Sequence, residues 1–236
     1  MSAVAIRQDG TSWTLTLARP ERGNALGDAL TEGLHAALDA ALAGGARLVV
    51  LRGEGRNFCT GLDLSDLEAA SEGDLALRIL RIELLLQRIH ALPITTLAVA
   101  QGRVFGAGAD LFAVCDHRVA LEGASFAFPG PAFGLVLGTA RLAALVGDGA
   151  ARRILLAGAP VRREEALALG LATAGDETGM AAVRAAAERL DAETVAALHA
   201  RTRRADDAAD LAALARSVAR PGLKARVLAY RAAMAR

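Results

Sequence analysis

Two segments of the chain share one chemical design: Asn57-Phe58-Cys59-Thr60-Gly61-Leu62-Asp63-Leu64 and Gly102-Arg103-Val104-Phe105-Gly106-Ala107-Gly108-Ala109-Asp110. Each follows a strand-like stretch, passes through glycine and turns toward a helix. Glycine lets backbone approach a ligand closely, and the first amides of a helix have no partner within it. Such amides bind negative oxygen, which a carbonyl oxygen becomes on its way to an enolate or a tetrahedral oxyanion. Loss of one preorganised donor typically costs ~3 kcal/mol of transition-state stabilisation. The second segment ends on a carboxyl, Asp110. It either handles a proton beside that oxygen or caps the start of its helix, where the dipole favours negative charge.

Other chemistries find less support in the residues. Cys59 lies beside the first turn, but no histidine near it in sequence would activate a thiolate, and Cys59 and Cys115 read as reduced, buried small residues. His35, His90, His117 and His199 share no local spacing with one another or with the cysteines, so no metal is expected. His90 precedes Pro93 at the end of a helix and either faces a pocket or sits on the surface of the last turn. Gly106-Ala107-Gly108 lacks the third small residue of a dinucleotide turn, and no Gly-Lys-Ser/Thr follows any glycine run, which excludes a nicotinamide fingerprint and a phosphate loop.

The elements that must position these turns follow from periodicity. Trp13 to Leu17 alternates as a strand, Arg19 to Gly23 breaks it, and Asp28 to Leu42 repeats Leu30, Leu34, Leu38 and Leu42 on one helical face before Gly44-Gly45. Leu48 to Leu51 reads as a buried strand, and strand, helix, strand implies parallel pairing. Asp63 with Asp66 suggests a helix start. Leu75 to Leu92 reads as helix stopped by Pro93, Ile94 to Ala100 as strand, Asp110 to Cys115 as helix, and His117 to Ala120 and Ser125 to Phe128 as short strands. From Thr139 the chain is nearly all helical, and the amphipathic Gly179 to Arg236 segment must cover its own core, a neighbouring subunit, or both.

Composition sets outer bounds. The 236 residues suit one large domain or a core with an appendage. With 53% hydrophobic residues but only 3% aromatics, the core must come from close approach of small side chains. A net charge of +1 gives no field to steer nucleic acid or anionic lipid. The first residues lack a signal-peptide pattern and no apolar run is long enough to span a bilayer, so a cytoplasmic location away from membranes is expected.

Several blocks, in order, resemble the crotonase (enoyl-CoA hydratase/isomerase) superfamily: Arg19-Pro20-Glu21-Arg22-Gly23-Asn24-Ala25-Leu26, Phe58 to Leu64, Gly106-Ala107-Gly108 to Cys115-Asp116, Phe126 to Gly134, Leu155 to Ala166 and Gly170-Leu171. The resemblance implies an α/β crotonase-like (ClpP/crotonase) spiral of ββα repeats, with a core over 1–178 and a C-terminal helical oligomerisation region over 179–236. It implies an acyl-CoA substrate, no further cofactor, and assembly as a homotrimer or homohexamer. It places the oxyanion-donating amides at Leu62 and Ala107. Substrate contacts fall at Arg22, Ala25, Leu26, Thr60, Gly61, Asp63, Leu64, Phe105, Gly106, Pro129 and Gly130. Arg22 either meets a CoA phosphate or is a solvated turn residue.

The sequence also departs from that family's pattern. Family hydratases use two glutamates; the first position here is Asp110, shorter by one methylene, and the second is Gly130, which transfers no proton. The stretch from Gly134 to Leu142 also lacks the family's Pro-Gly-x-Gly-Gly portion. These departures touch the two-carboxyl mechanism more than the backbone oxyanion hole. The expectation is an enzyme that stabilises a thioester enolate, the alternatives being an acyl-CoA decarboxylase or carbon–carbon-cleaving relative, or a silent acyl-CoA binder.

Overall fold

The computed structural model describes residues 2–203 and 206–234. Strand β1 (Val4–Asp9) pairs antiparallel with β2 (Ser12–Leu17). Nothing in the sequence reading anticipated β1, because only Val4 of its six residues is buried and no alternation survives. In β2, by contrast, Trp13, Leu15 and Leu17 all point inward. Helix α1 (Asp28–Ala43) buries Leu30, Leu34 and Leu38 of the predicted stripe, together with Ala37 and Ala41, whereas Leu42 is exposed, because a strict four-residue recurrence drifts around the helix away from the inward face. It leads to β3 (Leu48–Gly53), which lies parallel to β2.

Asp63 does not start a helix. Its carboxylate accepts from the Ser65 N–H at 2.9 Å and the chain stays in turns. Helix α2 (Glu72–His90) begins instead at Ser71, whose hydroxyl accepts from the Asp74 N–H while the Asp74 carboxylate accepts from the Ser71 N–H. This reciprocal cap satisfies two amides at once and outcompetes a lone aspartate. Strand β4 (Thr95–Ala100) follows, parallel to β3.

The stretch read as one glycine turn contains a further strand, β5 (Arg103–Phe105), and then helix α3 (Ala107–Ala113), three residues earlier than its apolar run suggested. Strand β6 (His117–Ala120) closes a five-stranded sheet in the order β1-β2-β3-β4-β6. Strand β7 (Ser125–Ala127) pairs with β5 and with the two-residue β8 (Val161–Arg162) in a second, three-stranded sheet. Between β7 and β8 lie α4 (Thr139–Val146) and α5 (Asp148–Ala157). After β8 come α6 (Arg163–Ala168), α7 (Met180–Arg189), α8 (Ala192–Thr202), α9 (Asp207–Val218) and α10 (Leu223–Met234). Residues 235 and 236 of the predicted helical tail lie outside the described residues.

Three apolar clusters hold these layers. The largest joins α1, α2 and α3 to the inner faces of both sheets, with Phe112 packed at 4.9 Å from Phe126 and edge-on to Phe58. A second unites α9 and α10 with α2 through Leu75, Ile79, Leu214, Val218, Leu223 and Val227. The third places Ala187 of α7 against Val50, Leu97 and Val119 on the other sheet face. The C-terminal helices thus cover their own chain. Among the described residues no helix is long and apolar enough to cross a membrane.

Candidate active site

The two glycine turns meet edge to edge. The Cys59 N–H donates to Arg103 O at 3.3 Å and the Phe105 N–H to Cys59 O at 3.0 Å, joining the first turn to β5. On its other side the Thr60 N–H donates to Gly23 O at 3.0 Å, the Leu26 N–H to Gly61 O at 2.6 Å and the Asp63 N–H to Leu26 O at 2.9 Å. The Gly106 N–H donates to Ala127 O at 2.8 Å. These bonds use the N–H groups of Cys59, Thr60 and Asp63 around the first turn and of Gly106 just before Ala107. Among the described residues, the N–H groups of Leu62 and Ala107 themselves have no partner.

Glycine is required for that approach. Gly61 has φ +93°, and a Cβ there would lie 2.7 Å from Phe105 O and 3.4 Å from the Ala107 nitrogen, so any side chain would force the turns apart. At Gly108 a Cβ would sit 2.3 Å from Cys59 O. Asn24, fully buried at φ +55°, ties the surrounding loops: its Nδ2 donates to Glu54 O and Asn57 O, both at 2.9 Å, and its Oδ1 accepts from the Arg19 N–H. No local pattern marks this role, because the carbonyls that Asn24 holds lie 30 and 33 residues away in sequence.

Leu62 and Ala107 open onto a cavity of about 150 Å³. Its wall includes Thr60, Gly61, Leu64, Phe105, Gly106, Asp110, Pro129 and Gly130, all expected from the sequence. The rest is apolar: Ile79 and Ile82 from α2, Phe128, Phe133, Leu135, Leu137 and Leu155, with Tyr230 reaching in from α10. Tyr230 carried no local signal, because its place depends on how α10 folds back. Four expected contacts lie outside the cavity wall. Arg22 is exposed, whereas Ala25, Leu26 and Asp63 are buried behind the first turn, where Asp63 pairs with Arg19 at 3.2 Å.

Asp110 is 5% exposed, and among the described residues nothing hydrogen-bonds its carboxyl. As the fourth residue of α3 it accepts from none of the helix's first amides, and capping is therefore not its role. Burial pushes its pKa up to about 8, against the pull of Arg141 and with the help of Glu83. Gly138 makes room for it, since a Cβ there would stand 1.9 Å from Asp110 Oδ1. Gly130, whose nearest neighbour to a built Cβ is Leu135 O at 3.5 Å, brings no acid to the opposite wall.

The sulfur and imidazole groups fall elsewhere. Cys59 is fully buried, and burial raises its thiol to about 12, which keeps it protonated. His90 stands outside the acyl-sized cavity, where its Nδ1 accepts from Arg203 Nε at 3.2 Å and burial lowers its pKa to about 4. Among the described residues no group of His, Cys, Asp and Glu is arranged to hold a metal ion.

Two linked βα turns with free amides, above an apolar cavity holding one carboxyl, define a crotonase-fold protein, and comparison with known proteins agrees. A crystal structure of an enoyl-CoA hydratase/isomerase family protein from Bordetella parapertussis superimposes with TM-score 0.94 at 46% identity, over 98% of this chain and 99% of that one. A Mycobacterium bovis protein described as a probable enoyl-CoA hydratase is 39% identical over 173 residues, which cover 72% of this chain and 69% of that protein. The ethylmalonyl-CoA decarboxylase of Gallus gallus is 34% identical over 139 residues, 56% of this chain and 47% of its own length. The enoyl-CoA hydratase/isomerase family model matches residues 8–221, and the chain belongs to that family.

Proposed function

We propose that the protein is an acyl-CoA-processing enzyme that carries a thioester through an enolate, with one carboxyl moving one proton. The observation that carries this reading is the pair of unpartnered amides at Leu62 and Ala107 beside a single buried, unpartnered carboxyl, Asp110. A thioester oxygen accepting from both amides gains negative charge as the enolate forms, and donors fixed in advance stabilise that charge without reorganisation. Hydration needs two groups to deliver the elements of water, whereas a shift of a double bond needs one. Asp110 as carboxylate takes the proton from C2 of a 3-enoyl thioester, the C–H electrons pass into the enolate, and Asp110 returns the proton to C4. A proton affinity near neutral keeps both half-steps close in energy.

A second reading has its own support. At neutral pH a carboxyl with a pKa of about 8 holds its proton. After loss of carbon dioxide from a malonyl-type thioester, Asp110 would donate that proton to the α-carbon of the enolate. Similarity to an ethylmalonyl-CoA decarboxylase favours this chemistry. In either reading Arg22, exposed at the turn, is the candidate for a CoA phosphate, and the protein acts in the cytoplasm without a further cofactor.

The test is calorimetric titration with CoA thioesters of several chain lengths, followed by turnover of 3-enoyl, 2-enoyl and malonyl-type substrates. Asp110→Asn should keep affinity within about threefold and lower kcat by about 10²–10⁴. Gly130→Glu, whose Cβ would meet nothing closer than Leu135 O at 3.5 Å, should add measurable hydration of 2-enoyl thioesters. Absence of binding by any CoA thioester would end the proposal. Binding with no turnover of any substrate would instead favour a silent acyl-CoA carrier.

A further inference from the structure

Beneath the cavity lies a charged pair that the chemistry above does not use. Glu83 of α2 and Arg141 of α4 have side chains 1% and 3% exposed. Arg141 Nη1 donates to Glu83 Oε1 at 2.9 Å and Nη2 to Oε2 at 2.6 Å. Arg141 Nη1 also reaches Asp210 Oδ2 of α9 at 3.3 Å, while its Nε is buried without a partner. Gln87, one turn along α2, donates to Glu83 Oε1 at 2.8 Å and fixes that carboxylate from the other side. Neither Glu83 nor Arg141 lines the acyl-sized cavity.

A buried ion pair of this kind costs desolvation and is weak evidence for a stabilising role, since well-packed apolar residues often replace one without loss. Its position suggests another use. Asp110 packs against Gly138, the residue at the N-terminal boundary of α4, and Arg141 follows three residues later on that helix. Arg141 is the cation that acts on Asp110, and an arginine beside an aspartate ordinarily holds it ionised. Here the guanidinium is already engaged by both oxygens of one carboxylate and approached by a second.

The charged and titratable groups facing this corner are few among the described residues. Glu83 comes from α2, with His90 further along the same helix beside Arg141; Arg141 comes from α4 and Asp210 from α9, and behind His90 and Asp210 stand Arg203, Asp116, Asp206 and Asp207. Strand β4 carries none, and Arg103 of β5 is exposed.

We infer that Glu83 is a positioning residue that engages Arg141 with both carboxylate oxygens, withholds that guanidinium from Asp110, and so leaves the cavity carboxyl free to bind and release a proton. The functional value of this rests on Asp110 being the proton-transfer group; the electrostatic coupling itself does not.

The measurement is a ¹³C NMR titration of aspartate carboxyls in the full chain, with the Asp110 signal assigned by its loss in Asp110→Asn. In Glu83→Gln the Asp110 midpoint should fall from about 8 by at least about one pH unit, and the pH profile of kcat should move with it. In Glu83→Gln/Arg141→Gln the competing cation is gone, and the midpoint should return to the parent value or rise above it. A folded Glu83→Gln protein with an unmoved midpoint overturns the inference, as does a double variant whose midpoint falls below the parent's. Should Glu83→Gln fail to fold, Glu83→Asp, which keeps the charge but draws the carboxylate back by one methylene, takes its place: its Asp110 midpoint should fall, and an unmoved one overturns the inference. Full turnover by Asp110→Asn would instead sink the proton-transfer reading and leave the coupling standing.

Discussion

At the residue scale, one aspartate carries two consequences. Asp110 has a pKa of about 8 in the fold, against 3.8 when unperturbed. Between those values the native state holds a proton that the unfolded chain releases, so stability falls as pH rises through that window and is fully present only below it. Asp110→Asn removes the ionisation. Its melting temperature should match the parent's near pH 4 and exceed it by several degrees at pH 8–9, at roughly 2–4 °C per kcal/mol for a chain of this size. Calorimetric scans across that range check it; a variant that melts lower at pH 8 would mean that the carboxylate, not the acid, is the form the fold prefers. The helix start separates the two roles the sequence left open for this residue: α3 begins at Ala107 rather than at Asp110, so the carboxyl lines the cavity instead of capping the helix.

At the element scale, the wall of the site depends on a helix remote in sequence. Tyr230 of α10 lies 5.1 Å from Phe133 ring to ring, and Arg226 on the same helix donates to Phe133 O at 3.0 Å. Tyr230→Ala should lose about 1–2 kcal/mol of stability from the aromatic contact and the space it leaves. It should also weaken acyl-CoA affinity up to about tenfold, with Arg226 still anchoring the helix. Denaturant unfolding and calorimetric titration would measure both. Unchanged affinity would mean that the acyl group does not reach α10. Helix α2 works in a similar double way, offering Ile79 and Ile82 to the cavity and Glu83 to the buried pair one residue on.

At the scale of the whole molecule, α9 and α10 fold onto α2 and α7 onto the sheet, so the C-terminal helices complete their own chain. Apolar side chains still stand exposed on the outer faces, Leu77 and Leu84 of α2 and Leu198 of α8 among them. We expect a homotrimer or homohexamer, as the family resemblance implies. Sedimentation equilibrium should return three or six times the 24.3 kDa chain mass, and a monomer at micromolar concentration would refute it.

The amino-acid sequence by itself determined what is local. The stripe of α1, the alternation of β2, the strand at β4, and the two glycine turns follow from periodicity and from glycine's freedom at positive φ, which act over a few residues. That position 130 brings no acid was legible too, because glycine has no side chain in any fold. Tertiary structure alone decided the rest. It kept the chain after Asp63 in turns rather than helix, with the Asp63 carboxylate engaged by the Ser65 N–H and by Arg19 from a distant loop. It put β1 on a sheet edge, where exposure erases the pattern. It left the amides of Leu62 and Ala107 free by pairing their neighbours with three other segments. It also brought Glu83, Arg141 and Asp210 together from 58 and 69 residues apart, where charge can be shared only because the chain has returned to the same dry place.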